Sequence, residues 1–422
     1  MSRSCEPSPT PAPAADAWRH FAGRYWAKEP VVVPGAPGSG LDAAGAHRLL
    51  VAAAGAPGPT RMRLAVADGV LRDPGPLLPS PTDRDAAGYA ARLAGSRQLG
   101  DGGWLLTAEH ALSLDFTLWS RVRDAVAGLW RHVGRPPLPV TTELAVGTRY
   151  QATEEFGAQP DAAALTWVLD GSLTMRVRPE HTGTEFALRA TAGDLAHWPA
   201  GSTHLDDRTR PCTTLRLTVP ARTTAALPYV GEVVGELLRL HPLPADAQPT
   251  IPHPAPADPD GRLTPTQRFT EPARRYVATL TGDGPERALL LRWAALRSAA
   301  GLHPAPPPRP GIALTPRSRL RRTTEILRMR AGAGTRVWAA HGHARTVTAP
   351  GAHRVLTHLG TVSRTTVSAL AEACDLHPES PELLALLDEL YQVRALDLDR
   401  NRESGSASDS DSGSDSKREP EL

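Results

Sequence analysis

Hydrophobic and polar positions alternate in short runs across the middle of the chain, between residues 149 and 219. The runs VLDGSLTMRV, EFALRATAGDLAHWPAGSTH and TTLRLTV are rich in branched apolar residues, and clusters of turn-forming residues separate them. Short apolar runs bounded by turn signals are typical of antiparallel barrels and sandwiches. The pattern therefore predicts an all-β core.

Helical spacing dominates on either side of this core. Before it, apolar positions three and four residues apart predict helices at 17–26, 42–54, 83–93 and 116–132, with short strands at 31–33, 61–66, 70–72, 104–107 and 141–150. After it, the same spacing predicts helices at 223–240, 265–281 and 285–299. The fold class that follows is α+β.

Residues 312–400 differ from the rest of the chain. A hairpin is predicted from 336–340 and 344–348, followed by helices at 351–359, 365–374 and 381–392 and a closing strand at 395–398. This order resembles a winged helix. The predicted domains are 16–241 (barrel), 265–311 (helical region) and 312–400 (winged helix), joined by a Pro-rich linker at 242–264. Residues 1–15 and the acidic Ser/Asp tail 401–422 are predicted to be disordered.

Composition limits the classes of function. The chain has 422 residues, 41% of them hydrophobic, and a net charge of +2. Residues 401–422 contribute −3, from three basic and six acidic residues, so the remaining 400 residues carry +5, which is a mild excess. Three scattered cysteines indicate neither a disulfide framework nor a thiolate metal site. No signal-peptide h-region and no long apolar run is present, so we expect a cytoplasmic protein without a membrane span.

The segment GDLAHWPAGSTH carries the first candidate site residue. Gly193 and Asp194 turn the chain, residues 195–198 form a strand, residues 199–201 turn it again, and His204 then points inward. Upstream, the segment FGAQPD brings Gln159 and Asp161 to the start of another predicted strand.

These two segments resemble the metal-binding halves of the cupin/JmjC barrel, and residues 18–35 (WRHFAGRYWAKEPVVVPG) resemble the N-terminal segment of bacterial JmjC-domain, cupin-4, ribosomal-oxygenase-like proteins. The resemblance implies a double-stranded β-helix, a homodimer formed through the helical region, and dependence on Fe(II) and 2-oxoglutarate. In that family, Asp161 and His204 correspond to metal ligands. Gln159 stands where the family has its first ligand histidine.

The chain departs from the family pattern at two positions. A carboxamide such as that of Gln159 is a weak metal donor compared with an imidazole. Leu173 stands where the family anchors 2-oxoglutarate with Lys or Arg. Substitute anchors are Arg176, which shares a strand face with Thr174, and Arg216. The alternative for either arginine is a solvated outer-face position.

Other residues near the motif offer substitute metal ligands. His197 lies on the strand before His204, and Glu154 precedes the Phe-Gly turn. His197 could equally be a core histidine that is hydrogen-bonded in the barrel wall, and Glu154 could belong to a solvated turn.

Three functions remain open on the sequence. The first is a protein or peptide hydroxylase of the family type, and the second is a catalytically inactive relative that binds a peptide or acts as a scaffold. A winged-helix nucleic-acid-binding regulator ranks behind both, because the predicted helix 365–374 contains no basic residue. An acidic rim around the barrel mouth would favour a basic protein or peptide partner; it consists of Glu154, Glu155, Asp161, Asp206 and Asp207.

Overall fold

The computed structural model describes residues 3–4, 14–56, 60–66, 69–71, 74–96, 99, 103–151, 161–221, 230–233, 235, 274, 281, 284–331 and 335–399. The predicted tail 401–422, the linker 242–264, most of the predicted N-terminus 1–15 and most of the predicted helices 223–240 and 265–281 lie outside the described residues. Within the N-terminus that was predicted to be disordered, Arg3–Ser4 forms a strand and a helix begins at Ala14. None of the helices described here is both long and apolar enough to cross a membrane.

The helices are Ala14–Arg24 (α1), Ala43–Gly55 (α2), Ala86–Ala94 (α3), Phe116–Val133 (α4), Gly284–Ser298 (α5), Pro350–Thr361 (α6), Val367–Ala373 (α7) and Pro381–Gln392 (α8). The strands are Arg3–Ser4 (β1), Val31–Val33 (β2), Arg61–Val66 (β3), Gly69–Leu71 (β4), Trp104–Glu109 (β5), Thr141–Thr148 (β6), Tyr150–Gln151 (β7), Ala162–Asp170 (β8), Ser172–Pro179 (β9), Phe186–Thr191 (β10), Leu195–Trp198 (β11), Ser202–Arg208 (β12), Cys212–Pro220 (β13), Arg319–Arg322 (β14), Leu327–Arg330 (β15), Arg336–Ala340 (β16), His343–Val347 (β17), Arg364–Thr366 (β18) and Leu396–Leu398 (β19).

Helix starts follow local chemistry. The side chains of Asp42, Asp85 and Asp115 each accept a hydrogen bond from the backbone N–H three residues further on, which satisfies a donor that the helix itself leaves free. Within α4, the residues that helical spacing places on one stripe are buried: Leu118, Val122, Val126 and Leu129.

Two sheets form the centre of the molecule. Within the described residues the large sheet has the strand order β2-β11-β8-β13-β6-β5-β3-β4, and the small sheet has the order β1-β10-β9-β12-β7. Neighbouring strands are antiparallel except for β1, which runs parallel to β10. The fold is therefore α+β with antiparallel sheets, as the alternation predicted.

The two sheets face each other. One buried apolar cluster draws Val168 and Trp198 from the large sheet and Met175 and Leu188 from the small sheet. On its other face the large sheet packs against α1, α2 and α4, where Trp167 and Leu215 join the apolar side chains of those helices. Both faces of the large sheet are therefore covered around these central strands, β8, β11 and β13.

The C-terminal part has a core of its own. Helices α6, α7 and α8 pack with the sheet β18-β14-β19 around buried residues such as Leu320 and Leu387. The predicted hairpin exists as β16 and β17, but it pairs with β15 in a separate sheet and packs against α5. Strands β14 and β15 lie in an arginine-rich segment for which the sequence analysis predicted no strands.

Candidate functional site

A cavity of about 300 Å³ lies between the two sheets. The small sheet contributes Tyr150, Ser202, His204, Asp206 and Arg208, and the large sheet contributes most of the opposite wall. The polar residues of that wall are Arg63, Thr107, Glu109, Thr141, Thr142, Glu143, Arg216 and Thr218.

Strand β12 positions four of the cavity residues because side chains alternate between the two faces of a strand. Ser202, His204, Asp206 and Arg208 share one face and line the cavity. The turn before β12 includes Gly201, which adopts a φ of +75° that favours glycine.

Asp206 corrects the predicted acidic rim. Its carboxylate is buried, with Oδ2 2.7 Å from Nη2 of Arg216 and 3.0 Å from Nη1 of Arg208. Burial alone would raise the pKa of Asp206, but the two guanidiniums outweigh burial and hold the pKa well below its usual range. The carboxylate is thus ionised and neutralised inside the protein, and it cannot form part of a solvent-facing rim.

Arg216 also lies inside the cavity, with a side chain only 14% exposed. Its Nε donates a hydrogen bond to Oγ1 of Thr166 at 3.1 Å, and its guanidinium lies 5.1 Å from the ring centre of Trp198. The solvated alternative for this arginine is therefore wrong. The face of β13 that carries Arg216 is the cavity wall and not a solvent-facing surface.

His204 points into the cavity and contacts Arg216. The His204 Nε2 atom is 3.3 Å from Nη1 of Arg216. A guanidinium can only donate, so Nε2 must accept with its lone pair. Burial, followed by the charge of Arg216, lowers the pKa of His204 to about 4, and the imidazole is neutral at pH 7.

The other predicted metal ligands do not meet His204 in the described residues. Asp161 is exposed at the start of β8, and it does not line the cavity. Its backbone oxygen accepts a hydrogen bond from the Ala221 N–H at 2.8 Å. Gln159 and Glu154, together with Glu155 of the predicted rim, lie outside the described residues.

His197 is buried on the far face of the large sheet. Its ring is 5.4 Å from that of Trp26 and 5.1 Å from that of Phe21, and its Nδ1 donates to the Ala164 carbonyl at 2.8 Å. Because His197 and His204 lie on opposite sides of the large sheet, they cannot bind one metal ion. The structure supports the alternative that His197 is a hydrogen-bonded core residue.

Strand β9 presents its candidate anchor residues away from the cavity. Leu173 is 1% exposed and packs in the core between the sheets. Thr174 and Arg176 do not line the cavity, and Arg176 is exposed. Of the three candidate anchors for 2-oxoglutarate, Arg216 alone faces the cavity, and its guanidinium already contacts Asp206 and His204.

Glu109 and Glu143 are cavity residues that were not predicted from the sequence. They lie directly opposite each other on β5 and β6, and both line the cavity. Burial raises the pKa of Glu143, and the charge of Arg216 opposes this rise. The alternation Thr141, Glu143, Ala145 along β6 was a signal that could have placed Glu143 on the cavity face.

The described donor set does not fit an Fe(II) site. No group of three or more His, Cys, Asp and Glu side chains in the described part of the chain is arranged to hold a metal ion. The Fe(II) of non-haem oxygenases is held by two imidazoles and one carboxylate on one face of the metal ion. At His204, the lone pair of Nε2 is instead directed at a permanent cation.

Neither a protein-family profile nor a curated protein sequence matches this chain. Among solved structures, the ribosomal oxygenase YcfD from Escherichia coli is similar over 90% of this chain and 98% of that chain, with 17% identity and a TM-score of 0.48. The same protein in complex with cobalt and 2-oxoglutarate gives 16% identity and a TM-score of 0.48 over the same shares of both chains. An oxalate decarboxylase from Lactobacillus farciminis is similar over 24% of this chain and 31% of its own, with 10% identity and a TM-score of 0.18. The cavity residues, rather than these likenesses, decide what the site can do.

Proposed function

We propose that this chain is a catalytically inactive JmjC-type relative that binds a ligand in its cavity without iron. In this proposal the two facing sheets correspond to the double-stranded β-helix, and α6, α7 and α8 with the sheet β18-β14-β19 correspond to a winged-helix domain. The motif around Asp161 and His204 supports the lineage.

The contact between Arg216 and His204 carries the proposal. A metal ion bound to Nε2 would lie about 2.1 Å from that atom, and Nη1 of Arg216 lies 3.3 Å from it. At a separation of about 4 Å and an effective dielectric constant of about 20, a dication and a guanidinium repel each other by roughly 8 kcal/mol. The guanidinium cannot lose its proton to relieve this repulsion.

The guanidinium also replaces the metal as the positive centre of the cavity. Arg216 and Arg208 both bind Oδ2 of Asp206, so this buried carboxylate already has two cationic partners. A buried carboxylate with two such partners needs no further cation. The site therefore holds together as a protein-only network.

The hydroxylase remains a second candidate. It is favoured by the inward direction of His204 and by Asp161 at the start of β8, the two positions that match the family motif. In that case Fe(II) would need Gln159 or Glu154 as a further ligand, and Arg216 would have to swing away.

The partners and the location of the protein belong to the same proposal. A protein or peptide partner and a homodimer formed through residues 265–311 stay predictions, as does the cytoplasmic location. Asp206 no longer supports a basic partner, because it is buried and already paired. The carboxylates of Glu109 and Glu143, which line the cavity, support one instead. Nucleic acid stays the less favoured partner, because α8 carries acidic rather than basic side chains.

Metal analysis and turnover separate the two candidates. Protein purified anaerobically with added Fe(II) is assayed for bound iron and for conversion of 2-oxoglutarate to succinate. An inactive relative retains no stoichiometric iron and shows no turnover above that of the His204→Ala variant. One bound iron per chain, together with turnover that depends on His204, would establish the hydroxylase instead.

A further inference from the structure

Two carboxylates lie side by side in the cavity wall, and no described residue donates a hydrogen bond to either of them. Glu109 and Glu143 are a directly opposed pair on β5 and β6, with side chains 32% and 31% exposed. Like charges directly opposite each other destabilise an antiparallel pair. This pair therefore costs stability unless a positive group lies against it.

The protein supplies only part of that positive charge. Arg63 approaches Glu109 at 3.7 Å and Arg216 approaches Glu143 at 3.8 Å, and both distances are too long for hydrogen bonds. Within the described residues, neither carboxylate accepts a hydrogen bond. Both keep acceptor sites that face the cavity.

A second observation on the opposite wall also indicates a ligand. Ser202 and Asp206 are 6% and 7% exposed and line the same cavity. The Ser202 hydroxyl and the Asp206 Oδ1 atom have no hydrogen-bond partner in the described part of the chain. Buried polar atoms are normally satisfied by protein, water or ligand. The cavity thus has unfilled polar positions on both of its walls.

The total charge of the residues that line the cavity limits the net charge of a ligand that can bind there. Three guanidiniums, of Arg63, Arg208 and Arg216, balance the three carboxylates of Glu109, Glu143 and Asp206. A dianion such as 2-oxoglutarate would add uncompensated negative charge, and a dication would add uncompensated positive charge. A ligand with no net charge fits this balance.

The positions of these charges further limit which ligand the cavity can bind. Along the adjacent strands β3, β5, β6 and β13, the order is Arg63, Glu109, Glu143, Arg216, so two carboxylates lie between two guanidiniums. Arg216 already contacts Thr166 and Asp206, whereas Arg63 is 55% exposed and, among the residues that the structure describes, has only its long contact with Glu109. The Nε atom of Arg208 also has no hydrogen-bond partner in the described part of the chain, but it is buried, so the accessible guanidinium donors are those of Arg63.

We infer that the cavity binds a small zwitterion, with its ammonium or guanidinium group between Glu109 and Glu143 and its carboxylate on Arg63. A cavity of about 300 Å³ suits a molecule of the size of a free amino acid. The inference rests on the proposed function, because it needs the cavity free of iron and 2-oxoglutarate.

Calorimetric titration with the twenty free amino acids tests the inference. At least one amino acid should bind. Acetylating its amine should weaken binding about tenfold or more, and so should converting its carboxylate to the carboxamide, because each change removes a charge-assisted contact. Glu143→Gln and Glu109→Gln should weaken binding of the free amino acid by a similar factor. Arg63→Gln should abolish the preference for the acid over the amide. Glu185→Gln, at a carboxylate outside the cavity, is the matched control and should change nothing.

Three outcomes would overturn the inference: no amino acid binds, an amine without a carboxylate binds as tightly as the zwitterion, or K⁺ or Mg²⁺ alone occupies the carboxylate pair and displaces the ligand. Parallel titrations with Mn(II) and 2-oxoglutarate report on the proposed function. Tight Mn(II) binding would contradict the metal-free site, whereas failure of the amino acids alone would contradict only the identity of the ligand.

Discussion

At the scale of single residues, Asp206 holds together two guanidinium groups that would otherwise repel each other. Among the described residues, removing its charge leaves Arg208, 1% exposed, without a counterion and leaves Arg216 with only its long contact to Glu143. Such uncompensated burial costs about 3–5 kcal/mol. We therefore expect Asp206→Asn to lower the free energy of unfolding by about that amount in urea denaturation. The neighbouring Asp207→Asn is the control, because Asp207 lies on the other strand face; equal effects of the two substitutions would contradict the network.

His197 gives a pH prediction at the same scale. Burial lowers its pKa to about 4 in the folded protein, against about 6.5 in the unfolded chain. The unfolded chain takes up the proton first, so the stabilisation is full above pH 6.5 and is lost as the pH falls towards 4. Lowering the pH from 7 to 4.5 should reduce the free energy of unfolding of both proteins. The reduction should be smaller in His197→Phe than in wild type by roughly 2 kcal/mol. The exposed His181→Phe should keep the wild-type drop, and a His197→Phe drop equal to wild type would refute the assignment.

At the scale of elements, two turns contain glycines that can be compared directly. Gly171, between β8 and β9, has a φ of +77°, and a Cβ there would overlap the Pro211 carbonyl oxygen. Gly193 has a φ of +93°, but a Cβ there meets nothing within 4 Å. Gly193→Ala should therefore lower the free energy of unfolding only by the backbone strain, about 1–2 kcal/mol. Gly171→Ala should lower it by more than about 3 kcal/mol. Thermal and urea unfolding measure both, and equal losses would show that the overlap is relieved.

Elements with a strong pattern could be predicted from the sequence, because spacing alone decides them. Strands β2 and β11 and helix α8 have the predicted bounds, and the predicted α4 differs by one residue at its end. The strand faces of Asp206, Asp207 and Arg216 could not be predicted. Asp206 and Asp207 are adjacent, so one must point inward, and alternation does not say which one. For Arg216, a solvated position stayed open beside the anchor role because the sequence does not show that both faces of its strand are covered.

At the scale of the whole molecule, the C-terminal part docks on the start of α4. The ring of Phe116 is 4.9 Å from that of His341, and the Arg394 guanidinium lies 4.5 Å from the centre of the same ring. The Gly342 N–H also donates to the Ser298 hydroxyl at 2.8 Å. These contacts connect the β16–β17 hairpin to the helices outside the large sheet.

Phe116→Ala should therefore loosen this docking by about 2 kcal/mol. Hydrogen exchange should speed up in the β16–β17 hairpin and leave the small sheet unchanged. Val70→Ala, at a side chain 52% exposed, is the control. Unchanged exchange in the hairpin would mean that other contacts hold the two parts together.

In the proposed function, the Arg216 guanidinium, 3.3 Å from Nε2 of His204, keeps a metal ion from binding at that atom. Mn(II) binding, measured by electron paramagnetic resonance on wild type and on Arg216→Ala, tests it most directly, with circular dichroism to verify that the variant is folded. We predict that wild type leaves Mn(II) free in solution and that removing the guanidinium tightens binding at least tenfold, in a manner that His204→Ala reverses. Micromolar Mn(II) binding by wild type that His204→Ala abolishes would contradict the claim.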